Sequence, residues 1–131
     1  MRSDCPISYA LDFFGDKWTL LIIRDLIFDG KKFYSDFLNS KEKIATNILS
    51  SRLKKLEQDG IIVSKVYEKL RTKKEYNLTE KGKRLVPVLV EMIRWSAEYN
   101  GELAVTQSFL EKAGSCSGRE ELIEKITTAI A

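Results

Sequence analysis

A mainly helical fold carrying one small β-hairpin is predicted by three observations. Apolar residues recur at helical spacing over most of the chain. The period drops to near two only between Ile62 and Leu78. The chain has 131 residues, which suits one domain, and 44% hydrophobic against 31% charged residues reads as globular rather than disordered.

Cys5-Pro6 suits a helix start, because proline fits the first turn, and Ile7, Ala10, Leu11 and Phe14 follow on one face. Gly15 ends that helix and Asp16 caps a second. The second helix places Trp18, Leu21, Ile22, Ile23, Leu26 and Ile27 on its apolar positions and stops before Asp29-Gly30. A short third helix, residues 33–38, turns Phe33, Phe37 and Leu38 inward. The fourth runs from Thr46 to Asp59 on a Leu49, Leu53, Leu56 stripe, with Gly60 as its stop. Alternation in residues 62–67 and again in 73–78 gives two strands joined by a polar segment. Thr79 caps a long helix reaching Asn100, which Pro87 kinks or delays. Two amphipathic stretches, 103–113 and 120–130, close the chain around the loop Gly114-Ser115-Cys116-Ser117-Gly118.

Three compact helices followed by a hairpin make a winged helix-turn-helix, here with additional C-terminal helices. Residues 1–100 are expected to form it, with 101–131 a helical extension of the same domain. In this topology the helix before the hairpin packs through one stripe and leaves its other face free for a major groove about 12 Å wide. That face carries Thr46, Asn47, Ser50, Ser51, Lys54 and Gln58, with Arg52 and Lys55 flanking it as candidates for phosphate. The charge agrees. Residues 41–55 and residues 65–74 each carry net +4 in a chain of net +3, so the remainder is acidic. One cluster surrounds the fourth helix; the other, with Lys69, Arg71 and Lys73, is the wing. A basic footprint on those two elements points to double-stranded DNA. Each residue also has a plainer surface reading. Ser50 and Ser51 suit neutral helix positions, Lys54 suits a pair with Glu57, Arg52 suits an interface, and the wing charges suit an edge strand that resists sheet-to-sheet pairing.

The sequence contains no histidine, which excludes Ser-His-Asp and Cys-His catalysis and His-ligated metals. Two cysteines alone build neither a zinc site nor a disulfide scaffold. With no glycine-rich phosphate loop either, no enzyme, metal or cofactor is expected. No apolar run approaches the roughly 20 residues of a membrane span, and no apolar signal segment opens the chain, so a cytoplasmic, reducing location is expected.

The same residues resemble the HxlR-type winged helix-turn-helix transcriptional regulators, relatives of the MarR type. The matching pieces are Cys5-Pro6-Ile7, Tyr9-Ala10-Leu11, the run from Gly15 to Leu26, Lys32-Phe33, Ile44, the run from Leu49 to Glu57, Asp59-Gly60-Ile61-Ile62, the run from Glu75 to Gly82, and Trp95. The resemblance implies a cytoplasmic prokaryotic homodimer on operator DNA, controlling neighbouring genes. This chain lacks the wing proline many members carry near Leu70 to Thr72. It also has Ala45 where many have serine, which moves the expected helix cap to Thr46.

Two further expectations follow. Cys5 stands where several members of that family sense oxidants or electrophiles. A cysteine at a helix N-terminus has its thiolate favoured by the helix dipole, with Arg2 near in sequence and Cys116 as a resolving thiol. The plainer reading is a partly buried packing cysteine. Second, a two-fold dimer would cover Ile7 and Leu11 of the first helix and Met92, Trp95 and Tyr99 of the long helix, setting two reading helices about 34 Å apart for a palindromic site. Tail helices folded over that stripe are the alternative. The function expected is sequence-specific transcriptional regulation; the competing one is a winged-helix module for protein contact.

Overall fold

The computed structural model describes residues 3–130. The chain forms two compact units, Met1–Gly82 and Lys83–Ala131. The element order is α1 (Pro6–Phe14), α2 (Lys17–Phe28), α3 (Tyr34–Leu38), α4 (Thr46–Gln58), β1 (Ile62–Tyr67), β2 (Leu70–Leu78), α5 (Glu80–Lys83), α6 (Val86–Tyr99), α7 (Gln107–Ala113) and α8 (Cys116–Ala129). This is a winged helix-turn-helix with helices after the wing. No helix among the described residues is long and apolar enough to cross a membrane.

In the first unit the helix ends follow their capping chemistry. Cys5 is the N-cap of α1, and the Asp16 carboxylate takes the Thr19 amide at 3.2 Å to start α2. The cap of α4 differs from expectation. Ala45 holds the N-cap position with no side-chain bond, and Thr46 is already helical. At the far end Gly60 adopts φ +74°, which lets the Ile61 amide reach back to Leu56 O at 3.0 Å.

The core of this unit gathers Ile22, Ile23 and Leu26 from α2, Phe37 from α3, Leu49, Leu53 and Leu56 from α4, and Ile61, Ile62, Tyr76 and Leu78 from the hairpin. Burying those three leucines fixes the rotation of α4 about its axis, which decides what it shows outward. The strands are antiparallel, from Ile62 opposite Leu78 to Val66 opposite Lys74. A bulge then shifts the register so that Tyr67 faces Leu70 across the Glu68-Lys69 turn. Strand β2 thus begins three residues earlier than its alternation suggested.

Phe33 is not helical. It is extended, pairs with Glu75 as an isolated bridge, and packs edge-on against Tyr67 at 4.9 Å. Asp36, inside the first turn of α3, accepts the Phe33 amide at 3.2 Å, and the Tyr76 amide donates to the Lys32 carbonyl at 2.7 Å, so the chain enters α3 capped and tied to the hairpin. One polar cluster lies beneath. Arg24 on α2 donates to Asp25 and, through two nitrogens, to Glu42 in the loop before α4. Ser40 joins both Arg24 and Glu42.

The single long helix expected from Thr79 divides into α5, in sequence at the end of the first unit, and α6 of the second. Thr79 does cap the first piece, accepting the Gly82 amide at 3.2 Å. Pro87 then sits in the first turn of α6, where its missing N–H has no intrahelical partner to lose. Val86, Leu89 and Val90 of α6, Ala113 of α7 and Leu122 of α8 are buried. The tail helices also start elsewhere than expected. Thr106 caps α7 through Phe109 N, and Ser115 caps α8 through Gly118 N at 3.0 Å, so α8 begins four residues before Glu120.

Candidate nucleic-acid interface

With Leu49, Leu53 and Leu56 inward, Thr46, Asn47, Ser50, Ser51, Lys54 and Gln58 are all exposed. A 3.6-residue period allows nothing else once the leucines are buried. The side chains of Asn47 and Lys54 make no hydrogen bond or ion pair among the described residues and are free to meet a ligand.

Arg52 and Lys55 differ from that group. Arg52 Nε donates to Asp16 Oδ2, and its Nη1 reaches Ser51 Oγ at 3.3 Å. Lys55 Nζ donates to the Asp12 carbonyl at 2.8 Å and to Asp59 Oδ2 at 2.7 Å. Both are half-buried. Each therefore meets any phosphate already partnered within the chain, and each ties α4 to the α1–α2 corner. Burial alone would raise the Asp16 carboxyl, but the Thr19 bond and Arg52 more than offset this and hold it below the usual carboxylate range.

On the wing, Lys69 and Arg71 are exposed and bond to nothing among the described residues. Lys73 is half-buried and rests over the Phe33 ring at 4.0 Å and the Tyr67 ring at 6.0 Å, so its ammonium is held by ring faces rather than by a carboxylate. Lys65 pairs with Glu75 at 3.4 Å. An open groove of about 470 Å³ brings α4 and the wing together, with Tyr34, Ser50, Lys54, Glu57 and Lys74 on its walls. Reading the sequence missed two of these. Lys74 adds only to the wing's charge, and Tyr34 has no distinguishing pattern, although its hydroxyl reaches both the Thr46 carbonyl and Ser50 Oγ at 3.1 Å. No spacing rule signals that contact, because it spans a helix, a loop and a second helix.

Cys5 is exposed, and its Sγ accepts the Ser8 amide at 3.5 Å. Arg2 lies outside the described residues. Cys116 is exposed as well, but it is the first residue of α8 rather than part of a loop. Ile7, Leu11, Met92, Trp95 and Tyr99 are all exposed, from 47% at Met92 to 71% at Ile7 and Tyr99. Trp95 and Tyr99 lie tilted against each other, ring centroids 5.2 Å apart, along the surface of α6.

A family model described as HxlR-like helix-turn-helix matches residues 13–104. The uncharacterized HTH-type transcriptional regulator YdeP of Bacillus subtilis is 38% identical over 99 residues, covering 76% of this chain and 77% of that protein. Among solved structures, the redox regulator HypR in its oxidized form superposes with a TM-score of 0.64 at 34% identity, covering 73% of this chain and 98% of that one. The quinone-bound YodB from B. subtilis superposes with a TM-score of 0.60, also at 34% identity, covering 72% of this chain and 99% of that one.

Proposed function

The chain belongs to the HxlR-like helix-turn-helix family of DNA-binding transcriptional regulators, and from that premise we propose a sequence-specific, cytoplasmic, non-enzymatic regulator acting as a homodimer on a palindromic operator. One observation carries the reading. The outward face of α4 presents unpartnered Asn47 and Lys54, and the adjoining wing presents unpartnered Lys69 and Arg71. Short polar groups at the start of α4 suit base edges, and the wing cations suit phosphates. The exposed apolar side chains of α1 and α6 support self-association.

Gel-shift titrations on duplex DNA from upstream of the chain's own gene test this, with light scattering to count chains per duplex. Binding should fall steeply with salt and involve two chains. Arg71→Ala should weaken all duplexes alike and lower the salt slope by about one, whereas Asn47→Ala should lose about 1–3 kcal/mol of discrimination at one base step. Salt-independent binding would favour a protein-contact module, and a single chain per site would remove the palindrome.

The regulator also responds to oxidants or electrophiles through Cys5. The exposed, N-capping thiol supports this, as does the likeness to HypR and YodB, the latter solved with a quinone. Diamide should lower the DNA affinity of the wild type and leave Cys5→Ser unchanged. Equal affinity for both proteins with and without diamide would end the sensing hypothesis.

A further inference from the structure

The two contacts of the Tyr34 hydroxyl have a consequence for proton placement. It lies 3.1 Å from the Thr46 carbonyl oxygen and 3.1 Å from Ser50 Oγ. A carbonyl can only accept, so the phenolic proton is committed to Thr46. The second contact then has one polarity: Ser50 donates its single proton, and the tyrosine oxygen accepts it.

Ser50 is exposed on the face of α4 that carries Asn47 and Lys54. A serine hydroxyl ordinarily rotates to donate or accept, and for that reason it reads bases permissively. Here the proton is directed inward, and only lone pairs face outward. In the major groove the partners for a lone pair are the exocyclic amino groups, N6 of adenine and N4 of cytosine. Guanine offers only O6 and N7 there, and thymine only O4 and a methyl group. Turning the Ser50 proton outward would cost one of the two tyrosine bonds, either that to Ser50 or, if the phenol swung round to donate to Ser50, that to Thr46, so a keto-bearing base is disfavoured even though serine alone would tolerate it.

We propose that Tyr34 is a positioning residue that fixes Ser50 as a hydrogen-bond acceptor, so that α4 selects adenine or cytosine at the base Ser50 faces. The inference rests on the reading that α4 enters the major groove.

Selection from a library of random-sequence duplexes tests it with the full chain, comparing wild type, Tyr34→Phe, Ser50→Ala and the double variant. Wild type should enrich adenine or cytosine over guanine or thymine by about fivefold or more at one position of each half-site. Tyr34→Phe should narrow that preference to within about twofold while leaving the other positions and the salt slope unchanged, because it removes an oxygen but no phosphate contact and no ring. In the Ser50→Ala background, Tyr34→Phe should change nothing further. The proposal is overturned if Tyr34→Phe keeps the full preference while Ser50→Ala abolishes it. It is equally overturned if the position sensitive to Ser50 prefers guanine or thymine. A wild-type selection that enriches no sequence would instead overturn the major-groove reading, and the inference with it.

Discussion

Arg24→Ala is expected to lower the unfolding free energy by about 2–4 kcal/mol, a little under the cost of breaking a fully buried ion pair. Its guanidinium donates to Asp25 Oδ1 at 2.8 Å and to Glu42 at 2.8 and 3.0 Å, and reaches Ser40 Oγ at 3.3 Å. The Asp25 side chain is 3% exposed, while Arg24 and Glu42 are each about a third exposed, and Lys31, 3.6 Å from Asp25, is the cation the substitution leaves in place. Burial already pushes the Asp25 carboxyl up despite Arg24, so removing the arginine leaves that carboxylate worse off. Urea unfolding should show a lower midpoint at unchanged slope.

The same variant has a pH signature. The bond from Arg24 holds the Glu42 carboxyl down to about 2, against an ordinary value of 4.5. A depressed folded value gives stability that is present above pH 4.5 and lost as pH falls toward 2. Asp25, shifted upward, works in the opposite sense and offsets part of that loss. The gap between wild type and Arg24→Ala should therefore narrow between pH 4.5 and 2, the range over which Glu42 titrates in the folded wild type. A gap that stays constant on acidification would show that Glu42 draws nothing from Arg24.

Phe37→Ala is expected to cost about 3–5 kcal/mol, the range for emptying a buried aromatic site. Phe37 is 1% exposed and meets the Tyr76 ring edge-on at 6.2 Å, so it joins α3 to the second strand of the wing. The loss should appear as a fall in thermal midpoint of several degrees per kcal/mol, about 4–8 °C each for a small domain. Phe37→Leu should recover more than half of it. A loss below about 1 kcal/mol would mean that the core is not centred on this ring.

Much of this architecture could be read from spacing. The Leu49, Leu53, Leu56 stripe predicted both the helix and its outward face, because burial of one side of a helix determines the other. Asp16 and Thr79 were readable as caps, and Gly60 as a stop, since each acts through its own backbone neighbourhood. What escaped was non-local or a competition between signals. Phe33 has the periodicity of a helical residue, yet pairing with Glu75 draws it into an extended conformation. Leu70 to Thr72 lack alternation and join the strand only because the hairpin extends to them. The basic clusters marked a region but not which of its cations remain unpaired. Arg52 and Lys55 find Asp16 and Asp59, and nothing in their own segment distinguishes Arg52 from Lys54.

Helix α1 contains no buried residue, and it holds to α4 through the Lys55 bond to the Asp12 carbonyl. An element so lightly embedded frays at a lower free energy than the unit it belongs to. Its amides thus exchange with solvent through local opening, while those of α2 and α4, set in the core, await a larger excursion. The thiol at its start is reachable without disturbing the buried leucines of α4.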